Sequence, residues 1–371
     1  MPLSRKAFAK GLAIGTLSLP LAIRACMPGP NAQSGPSLRN RKTYRWRMVT
    51  TWPPNFPILG EACTRFAELV ARMSEGQMEI RIFGGGELVP ALEVFDAVRS
   101  GAAELGNGAS YYWAGIAPAA QFFASVPFGM NAQQLNAWLL GGRGLELWEA
   151  LYRDFNLVPC PGGNTGVQMG GWFNRQINSL DDLRGLKMRI PGLGGKVLER
   201  AGGAPVLLAG GEIYTGLERG VIDATEWLGP YHDALMGFQD IAKYYYSPGW
   251  HETGTALEYI FNKDAFDALP PYLQAILRTA AQAMNSWVLA QMEARNAERL
   301  QSLIREGVTL KNFPDAVLRR LRELTAEVLR ELAAADPFSK RVYESYADFQ
   351  HRAGDYAART EKAYFNQILP A

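Results

Sequence analysis

The sequence has little of what most metal-dependent and redox enzymes are built on. Its 371 residues include only three cysteines and three histidines. No cysteines are spaced for a zinc or redox motif, and we expect Cys63 and Cys160 to be buried thiols, with a disulfide as the alternative. The sequence contains no His-Glu-x-x-His, Gly-x-Ser-x-Gly or Walker A pattern. These absences leave no recognisable catalytic motif, so we do not expect an enzyme.

Long hydrophobic runs are also missing. An uncharged run at residues 11–23 follows three basic residues, but it is shorter than the roughly 20 apolar residues that a transmembrane helix needs. Residues 1–26 are therefore interpreted as an export signal. Within it, residues 4–10 resemble a twin-arginine signal in which lysine replaces the second arginine. We expect a protein exported to the periplasm.

Cys26 has two interpretations, and the charge balance changes when the export signal is removed. Residues 23–26 resemble a lipoprotein box, in which the cysteine is acylated; an ordinary cleaved signal is the alternative. Residues 1–26 contain four basic and no acidic residues, so 34 basic and 36 acidic residues remain of the original 38 and 36. A chain with this balance offers no basic surface for nucleic acid.

Behind a flexible linker at residues 27–42, rich in Pro, Gly, Ser and Asn, strand and helix patterns alternate. Apolar residues alternate with polar ones at residues 44–49 and 78–83, and they fall on one helix face at residues 59–73. This order predicts an α/β fold with a mostly parallel sheet covered by helices. The length of the chain favours two domains.

A similar unit occurs twice, which favours two lobes with a cleft between them. Residues 85–104 and 210–223 each contain a Gly-Gly-Glu loop, a helix, a glycine and a short strand with an acid. From residue 270 onward, amphipathic helices are predicted at residues 273–305, 316–335 and 338–368, and their apolar stripes must pack on the lobes or on another subunit. A homodimer is therefore expected. The expected domains are a first lobe at residues 43–160, to which part of 250–300 returns, a second lobe at residues 161–249, and a helical C-terminal region at residues 270–371.

Two polar residues of the second lobe are candidates for ligand binding. Gln168 lies between two apolar residues, so its amide points away from any core that they join. Arg189 ends a short predicted strand, and the carboxyl ends of parallel strands are where α/β proteins bind ligands. A guanidinium there can hold a carboxylate through two parallel hydrogen bonds. An exposed arginine on an edge strand is an equal alternative.

Two acids in the same region are candidates for binding a metal ion. Glu226 precedes Trp227, and Glu252 ends a Gly-Trp-His-Glu sequence. Two carboxylates with a nearby amide or backbone carbonyl oxygen suit a hard cation such as Na⁺ or Ca²⁺. Two separate surface or salt-bridged glutamates are the alternative that the sequence alone favours. His232 and His251 are predicted to be hydrogen-bonded structural histidines.

Five segments of this region together resemble one known family. They resemble the solute-binding proteins of tripartite ATP-independent periplasmic (TRAP) transporters, of the DctP type, and are most similar to the branch that binds 2-oxoacids or lactate-like 2-hydroxy acids with a metal ion. The resemblance extends over residues 43–365. It implies a two-lobed fold like that of periplasmic binding proteins, with a hinge cleft and long C-terminal helices. The segments are residues 163–172, 186–192, 210–214, 222–230 and 244–252.

The resemblance also implies roles for individual residues. Arg189 matches the arginine that clamps the ligand carboxylate. In the similar branch, the ligands of a Na⁺ or Ca²⁺ ion would be Gln168, Glu226, the carbonyl of Trp227, and Glu252. The sequence departs from dicarboxylate-binding members, which have a second arginine near Gln168 and an asparagine near Trp227. Losing that positive charge while gaining two acids leaves a bound carboxylate in need of a bridging cation.

The remaining expectations concern the other lobe, the partners and the alternatives. Tyr111 or Tyr112 is expected to reach the ligand from the first lobe, with core packing as an equal alternative, and Asn164 is included among the ligand-binding residues. The expected function is an exported receptor that delivers a small pyruvate- or lactate-like acid to TRAP membrane subunits. The alternatives are a receptor for a larger acid, such as a dicarboxylate or sugar acid, and a metal-dependent hydrolase or lyase.

Overall fold

Two β-sheets form the framework of the structure, and helices pack against both. The computed structural model describes residues 42–369. The predicted export signal, the linker up to residue 41 and both interpretations of Cys26 lie outside the described residues. Within residues 42–369, no helix is both long enough and apolar enough to cross a membrane.

The strands and helices alternate through most of the chain, as the α/β pattern predicts. The strands are β1 (Tyr44–Thr50), β2 (Met78–Phe83), β3 (Leu105–Gly108), β4 (Leu157–Asn164), β5 (Gly171–Phe173), β6 (Lys187–Arg189), β7 (Ala204–Val206), β8 (Ala224–Thr225), β9 (Tyr244–Ser247), β10 (Ala256–Asn262) and β11 (Thr309–Asn312). The helices are α1 (Leu59–Met73), α2 (Val94–Arg99), α3 (Gln121–Ala124), α4 (Ala132–Gly141), α5 (Gly144–Arg153), α6 (Gly192–Arg200), α7 (Ile213–Glu218), α8 (Pro230–Leu235), α9 (Phe238–Ile241), α10 (Lys263–Asp267), α11 (Pro271–Arg305), α12 (Asp315–Ala335), α13 (Pro337–Arg359) and α14 (Glu361–Gln367).

The first sheet has the strand order β2-β1-β3-β10-β4. Its first three strands pair in parallel, as the repeated strand and helix pattern at the start of the chain predicts. β10, which follows the second lobe in sequence, returns to this sheet and lies antiparallel between β3 and β4. Since β4 extends to Asn164, the expected boundary at residue 160 falls inside a strand of the first sheet.

The second sheet has the order β11-β9-β5-β8-β6-β7. β6 lies between β7 and β8 and pairs in parallel with both, so it is not an edge strand. β11 follows the longest helix and pairs in parallel with β9. This strand was not predicted from the sequence, because its four residues, Thr-Leu-Lys-Asn, are mostly exposed and show no apolar alternation.

Two connections between the sheets run side by side. Residues 165–170 link β4 to β5, and residues 248–255 link β9 to β10. The backbone N–H of Gln168 donates to the backbone carbonyl oxygen of Glu252 over 3.1 Å. The backbone N–H of Gly249 donates to the backbone carbonyl oxygen of Gln168 over 3.0 Å. A Cβ atom at Gly249 would lie 2.2 Å from that same oxygen, so only glycine allows this approach. We call residues 165–170 and 248–255 the paired crossovers; they occupy the place of a hinge between the lobes.

Long helices at the end of the chain join the two lobes. α11 packs against α1 and β4 of the first lobe and against α8 of the second, whereas α12 packs against α6 and α13. Val317, Leu321 and Leu324 of α12 are buried, and each such side chain stabilises the packing by about 1.5–3 kcal/mol. The predicted helices correspond to α11, α12 and α13, except that the last one is interrupted at Thr360 and continues as α14.

The two cysteines of the described chain are free and buried, which confirms the prediction for Cys63 and Cys160. Cys63 lies on the buried face of α1. Burial raises the pKa of each thiol to about 12, so neither is a reactive thiolate at neutral pH.

Candidate ligand and cation site

Arg189 lies at the carboxyl end of β6 and is only 1% exposed. The alternative of an exposed arginine on an edge strand is therefore wrong. Its Nη1 forms an ion pair with the Glu226 carboxylate, its Nη2 donates to the Tyr112 hydroxyl over 3.2 Å, and its Nε donates to the Leu208 carbonyl oxygen over 3.3 Å. The guanidinium also lies over the Trp227 ring, 4.9 Å from its centre. Every edge of this cation is therefore in contact with the protein.

Glu226 follows β8 directly and is buried. Its amide donates to the carbonyl oxygen of Arg189 over 3.1 Å, so backbone pairing sets the two side chains next to each other. One carboxylate oxygen, Oε1, meets Arg189, whereas Oε2 has no hydrogen-bond partner among the described residues. Glu226 is thus held on one side and free to bind on the other.

Gln168 and Glu252 come from the paired crossovers and meet each other in the buried interior. The Gln168 amide nitrogen donates to Oε2 of Glu252 over 2.7 Å and to the Thr165 hydroxyl over 3.2 Å. The Thr255 hydroxyl also donates to Glu252. Burial, together with the neighbouring charge of Glu226, raises the pKa of Glu252 to about 8. Neither glutamate is a surface residue, so the surface interpretation is wrong for both, whereas Glu226 is salt-bridged, to Arg189.

The donor set in this cluster fits a hard cation. Two oxygen atoms from different elements, Oε1 of Gln168 and Oε2 of Glu226, are buried and have no hydrogen-bond partner in the described part of the chain. A buried polar oxygen without a partner costs about 1–3 kcal/mol, which a bound cation would recover. Carboxylate and amide oxygens are also the ligands that Na⁺ and Ca²⁺ prefer.

Trp227 lines the cluster with its indole ring. The ring packs against Gly210, since a Cβ atom there would lie 2.6 Å from it, and it meets the Phe56 ring of the first lobe edge to face, with centroids 6.1 Å apart. The indole nitrogen has no hydrogen-bond partner among residues 42–369. Trp227 therefore fills the space beside Arg189.

Tyr111 and Tyr112 reach the cluster from the first lobe, from a short 3-10 turn after β3. The Tyr112 hydroxyl accepts a hydrogen bond from Arg189. Tyr111 approaches the start of α6, where a Cβ atom at Gly192 would lie 2.9 Å from the Cβ of Tyr111. Gly192 also has a φ of 59°, so both backbone conformation and space require glycine there. The two lobes meet at this point.

Asn164 is buried at the end of β4, but both ends of its side chain are used by the backbone. Its Oδ1 accepts from the amide of Gly166 over 2.9 Å, and its Nδ2 donates to the carbonyl oxygen of Gly254 over 3.4 Å. These contacts connect the paired crossovers. A ligand-binding role for Asn164 stays a prediction.

The histidines differ from each other. His232 bonds the carbonyl oxygen of Pro57 over 2.9 Å and stacks on Phe56, as expected of a structural histidine, and burial lowers its pKa to about 4. His251 is 1% exposed, and neither ring nitrogen has a hydrogen-bond partner in residues 42–369. The prediction of a hydrogen-bonded structural histidine is therefore wrong for His251, which lies beside Glu226. The adjacency of His251 to Glu252 in the sequence is the signal that could have indicated its position in the site.

A cleft between the lobes opens near this cluster, with a volume of about 560 Å³. Its first-lobe wall includes Thr51 and Pro90, and its second-lobe wall includes Ala209 and Glu212. The charged side chains of the cluster do not line it. Packed side chains therefore close over the cluster.

Two α/β lobes joined at a hinge, with a buried arginine and two buried carboxylates between them, define a bilobal solute receptor. The chain belongs to the DctP family, described as bacterial extracellular solute-binding protein, family 7, whose model matches residues 48–336. This family comprises transport receptors rather than enzymes and includes periplasmic proteins.

One curated relative is 43% identical over 322 residues, covering 87% of this chain and 88% of the relative. It is a monocarboxylate 2-oxoacid-binding periplasmic protein of Nostoc sp..

Three solved TRAP solute-binding proteins superpose with a TM-score of 0.86, and each comparison covers 88% of this chain. The one from Colwellia psychrerythraea, 42% identical and fully covered, contains calcium and pyruvate. The one from Pseudoalteromonas atlantica, also 42% identical and fully covered, contains sodium and pyruvate. The one from Bordetella bronchiseptica, 39% identical and 97% covered, is a dimer with calcium and picolinate in one site. The two-lobed fold predicted from the sequence is confirmed.

Proposed function

We propose that this chain is the extracytoplasmic receptor of a TRAP-type secondary transporter and that it binds a small 2-oxo or 2-hydroxy monocarboxylate together with Na⁺ or Ca²⁺. The observation that carries the proposal is the buried cluster in which one guanidinium faces two carboxylates, with two oxygen atoms left without partners. The ligands bound by the three similar structures support the same class of acid and ion.

The charges of the cluster explain why a cation is needed. Arg189 already neutralises Glu226, so a ligand carboxylate that enters with Glu252 ionised adds an uncompensated buried negative charge. Buried charges without partners cost several kcal/mol. A bridging cation compensates both Glu252 and the ligand, and its charge dominates the local electrostatics.

The family resemblance and the positions of the residues both support the proposed roles. Arg189 holds the ligand carboxylate, and the cation is held by Gln168, Glu226, Glu252 and the carbonyl of Trp227. Trp227 also limits the space beside Arg189, which favours a small acid. Tyr111 and Tyr112 close the site from the first lobe.

A panel of acids tested by thermal unfolding addresses the proposal directly. Purified protein, first dialysed against chelator in sodium-free buffer, is measured with pyruvate, lactate, succinate and glucuronate, with and without Ca²⁺ or Na⁺. A ligand at about 100 times its dissociation constant raises the free energy of unfolding by about 2.7 kcal/mol. We expect a rise in melting temperature for pyruvate or lactate only when a cation is present. A larger rise with succinate or glucuronate, or none with any acid, would overturn the assignment.

We also infer a homodimer that uses the C-terminal helices. Large apolar side chains near the end of α13 and in and after α14 are exposed to 68% at Tyr356, 62% at Phe365 and 71% at Ile368. Contiguous exposed apolar surface is typical of an interaction site. Sedimentation equilibrium should give twice the monomer mass, and Phe365→Ser with Ile368→Ser should shift it toward the monomer. A wild-type monomer at micromolar concentration would contradict the inference.

A further inference from the structure

His251 lies in the cation cluster although no hydrogen bond explains its burial there. It belongs to one of the paired crossovers, next to Glu252, and α6 fixes its position from the other side. A Cβ atom at Gly194 of α6 would lie 3.0 Å from the Cβ of His251. The Trp250 ring lies edge to face with the imidazole, with centroids 5.6 Å apart. The imidazole is therefore held in place by packing, with the Glu226 carboxylate beside its Nε2.

The polar atoms of this imidazole are unsatisfied. His251 is 1% exposed, and neither Nδ1 nor Nε2 has a hydrogen-bond partner in the described part of the chain. A neutral imidazole has one nitrogen with a free lone pair. Buried groups of this kind are rare in folded proteins and point to an ion, water or ligand that would bind them.

The distance between His251 and Glu226 is the distance expected between two ligands of one metal ion. Nε2 of His251 lies 3.4 Å from Oε2 of Glu226, which is the oxygen that Arg189 leaves free. Ligand atoms bonded at about 2.0–2.1 Å to a tetrahedral ion lie roughly 3.3–3.4 Å apart. One donor atom each from Glu226, His251 and Glu252 lies within 4.8 Å of the others. One nitrogen of the imidazole thus lies within 4.8 Å of an oxygen from each carboxylate.

We propose that His251 gives this cluster a nitrogen donor, so that Glu226, His251 and Glu252 bind a borderline divalent ion of the Zn²⁺ and Co²⁺ class. This inference rests on the proposed function for the location of the cation site, but it goes beyond the Na⁺ or Ca²⁺ of that proposal. Hard cations select oxygen ligands, whereas imidazole suits first-row transition metals. One imidazole and two carboxylates leave a coordination position open, as in catalytic zinc sites.

The proposal has a direct consequence for competition. Both kinds of ion use Glu226 and Glu252, so they cannot occupy the cluster together. A transition metal that also bonds to His251 gains a ligand that Ca²⁺ and Na⁺ do not use. Zn²⁺ should therefore displace Ca²⁺ and alter the binding of the acid at a lower concentration than Ca²⁺ needs to displace Zn²⁺.

Cobalt absorption is the test, because the visible d–d bands of Co²⁺ report nitrogen ligation and coordination number without requiring the acid. Metal-free protein is titrated with Co²⁺ in sodium-free buffer, and Zn²⁺ is then added. We expect saturable bands of a four- or five-coordinate ion at one equivalent, lost on adding Zn²⁺. His251→Ala and, as a size-matched variant, His251→Gln should weaken Co²⁺ binding by about 10- to 100-fold and shift the bands.

The matched control removes a histidine elsewhere. His351 is exposed on α13, with 79% of its side chain accessible, so His351→Ala should leave the cobalt bands unchanged. Bands that persist in both His251 variants, or the weak bands of an octahedral ion in the wild-type protein, would overturn the proposal. If Ca²⁺-dependent pyruvate binding is present in that case, the proposed function stands. If neither pyruvate nor any other acid binds, the proposed function itself fails.

Discussion

The guanidinium of Arg189 and the carboxylate of Glu226 form a buried ion pair, although the two residues are proposed to hold different parts of the bound complex. Each side chain is 1% exposed. With Glu226 on Nη1, the fork of Arg189 cannot offer that nitrogen to an incoming carboxylate. A cation that attracts Glu226 would weaken this hold. Cation binding and acid binding are therefore expected to be coupled through one ion pair, with each strengthening the other.

Glu226→Gln should uncouple acid binding from cation binding. The neutral amide no longer competes for Arg189, so in chelator and without sodium the variant should bind pyruvate about tenfold or more tightly than the wild-type protein does under the same conditions. Added Ca²⁺ should no longer improve its affinity, because the cation has lost a ligand. Titration calorimetry measures both affinities. Glu252→Gln is the control, since no ion pair joins Glu252 to Arg189 within the described residues: it should lose the Ca²⁺ effect and gain less affinity in chelator than Glu226→Gln does. Equal affinities of the two variants in chelator would contradict the coupling.

Arg189→Lys keeps the positive charge but removes the planar fork. A lysine cannot bond a carboxylate through two parallel hydrogen bonds, so we expect pyruvate affinity with saturating Ca²⁺ to fall by roughly 100-fold. Retained charge limits the loss of stability that Arg189→Ala would cause by leaving Glu226 unpaired. Arg200→Ala serves as the control, because Arg200 pairs with Glu331 at the surface. Calorimetry that finds near-normal affinity for Arg189→Lys would remove the arginine from the site.

Gly249→Ala tests the paired crossovers. The added methyl group would lie 2.2 Å from the carbonyl oxygen of Gln168, so the crossovers must move apart. That movement separates Gln168 from Glu252, and Ca²⁺-dependent stabilisation by pyruvate should be lost or fall at least tenfold in affinity. Gly211→Ala, in the second lobe, has no described heavy atom within 4 Å of its new methyl group and should behave like the wild-type protein. Two variants with the same affinity would show that the close approach is not needed.

Glu258 of β10 should make stability depend on pH. Trp113 and Tyr152 donate to its Oε1 over 2.6 Å and 3.1 Å, but burial dominates and raises the pKa to about 8 from 4.5. The folded protein therefore binds a proton that the unfolded chain has released between these values, and stability falls as pH rises from about 4.5 to 8. This carboxyl accounts for up to roughly 5 kcal/mol of that fall.

Glu258→Gln keeps the oxygen that both donors use and cannot ionise. Urea unfolding at several pH values between 5 and 8.5 should show a smaller decrease in stability for the variant, so that its advantage over the wild-type protein grows with pH. Comparing the two proteins cancels the titration of Glu252 and other shared groups. A constant difference across this range would mean that Glu258 is ionised throughout.

Much of the fold could be predicted from the sequence because its elements are long and strongly patterned. The apolar faces of α1, α11 and α12 repeat over several turns, and the first two strands alternate clearly. β11 and the continuation of β4 to Asn164 could not be predicted, since their pairing partners are distant in sequence and their own residues carry no strand pattern. The break at Thr360 likewise has no proline or glycine to indicate it.

The site was predicted in part, and the reason lies in how its residues are brought together. A ligand-binding role for Arg189 could be predicted from its place at the end of a strand, whereas the roles of Gln168, Glu226 and Glu252 came from the resemblance to a family. The ion pair between Arg189 and Glu226 and the position of His251 depend on backbone pairing between β6, β8 and the crossovers. Residues that meet only through such pairing leave no local pattern in the sequence.

The paired crossovers have a mechanical consequence. A cation bound to Gln168 and Glu252 would connect the two paired crossovers, about which the lobes turn. It would therefore act at the rotation axis of the lobes, which is the fulcrum of the motion, and not at the rim of the cleft. A small displacement at a fulcrum becomes a larger one at the far end of each lever. A membrane partner could then detect an occupied site from the angle between the lobes, without touching any residue that holds the ligand.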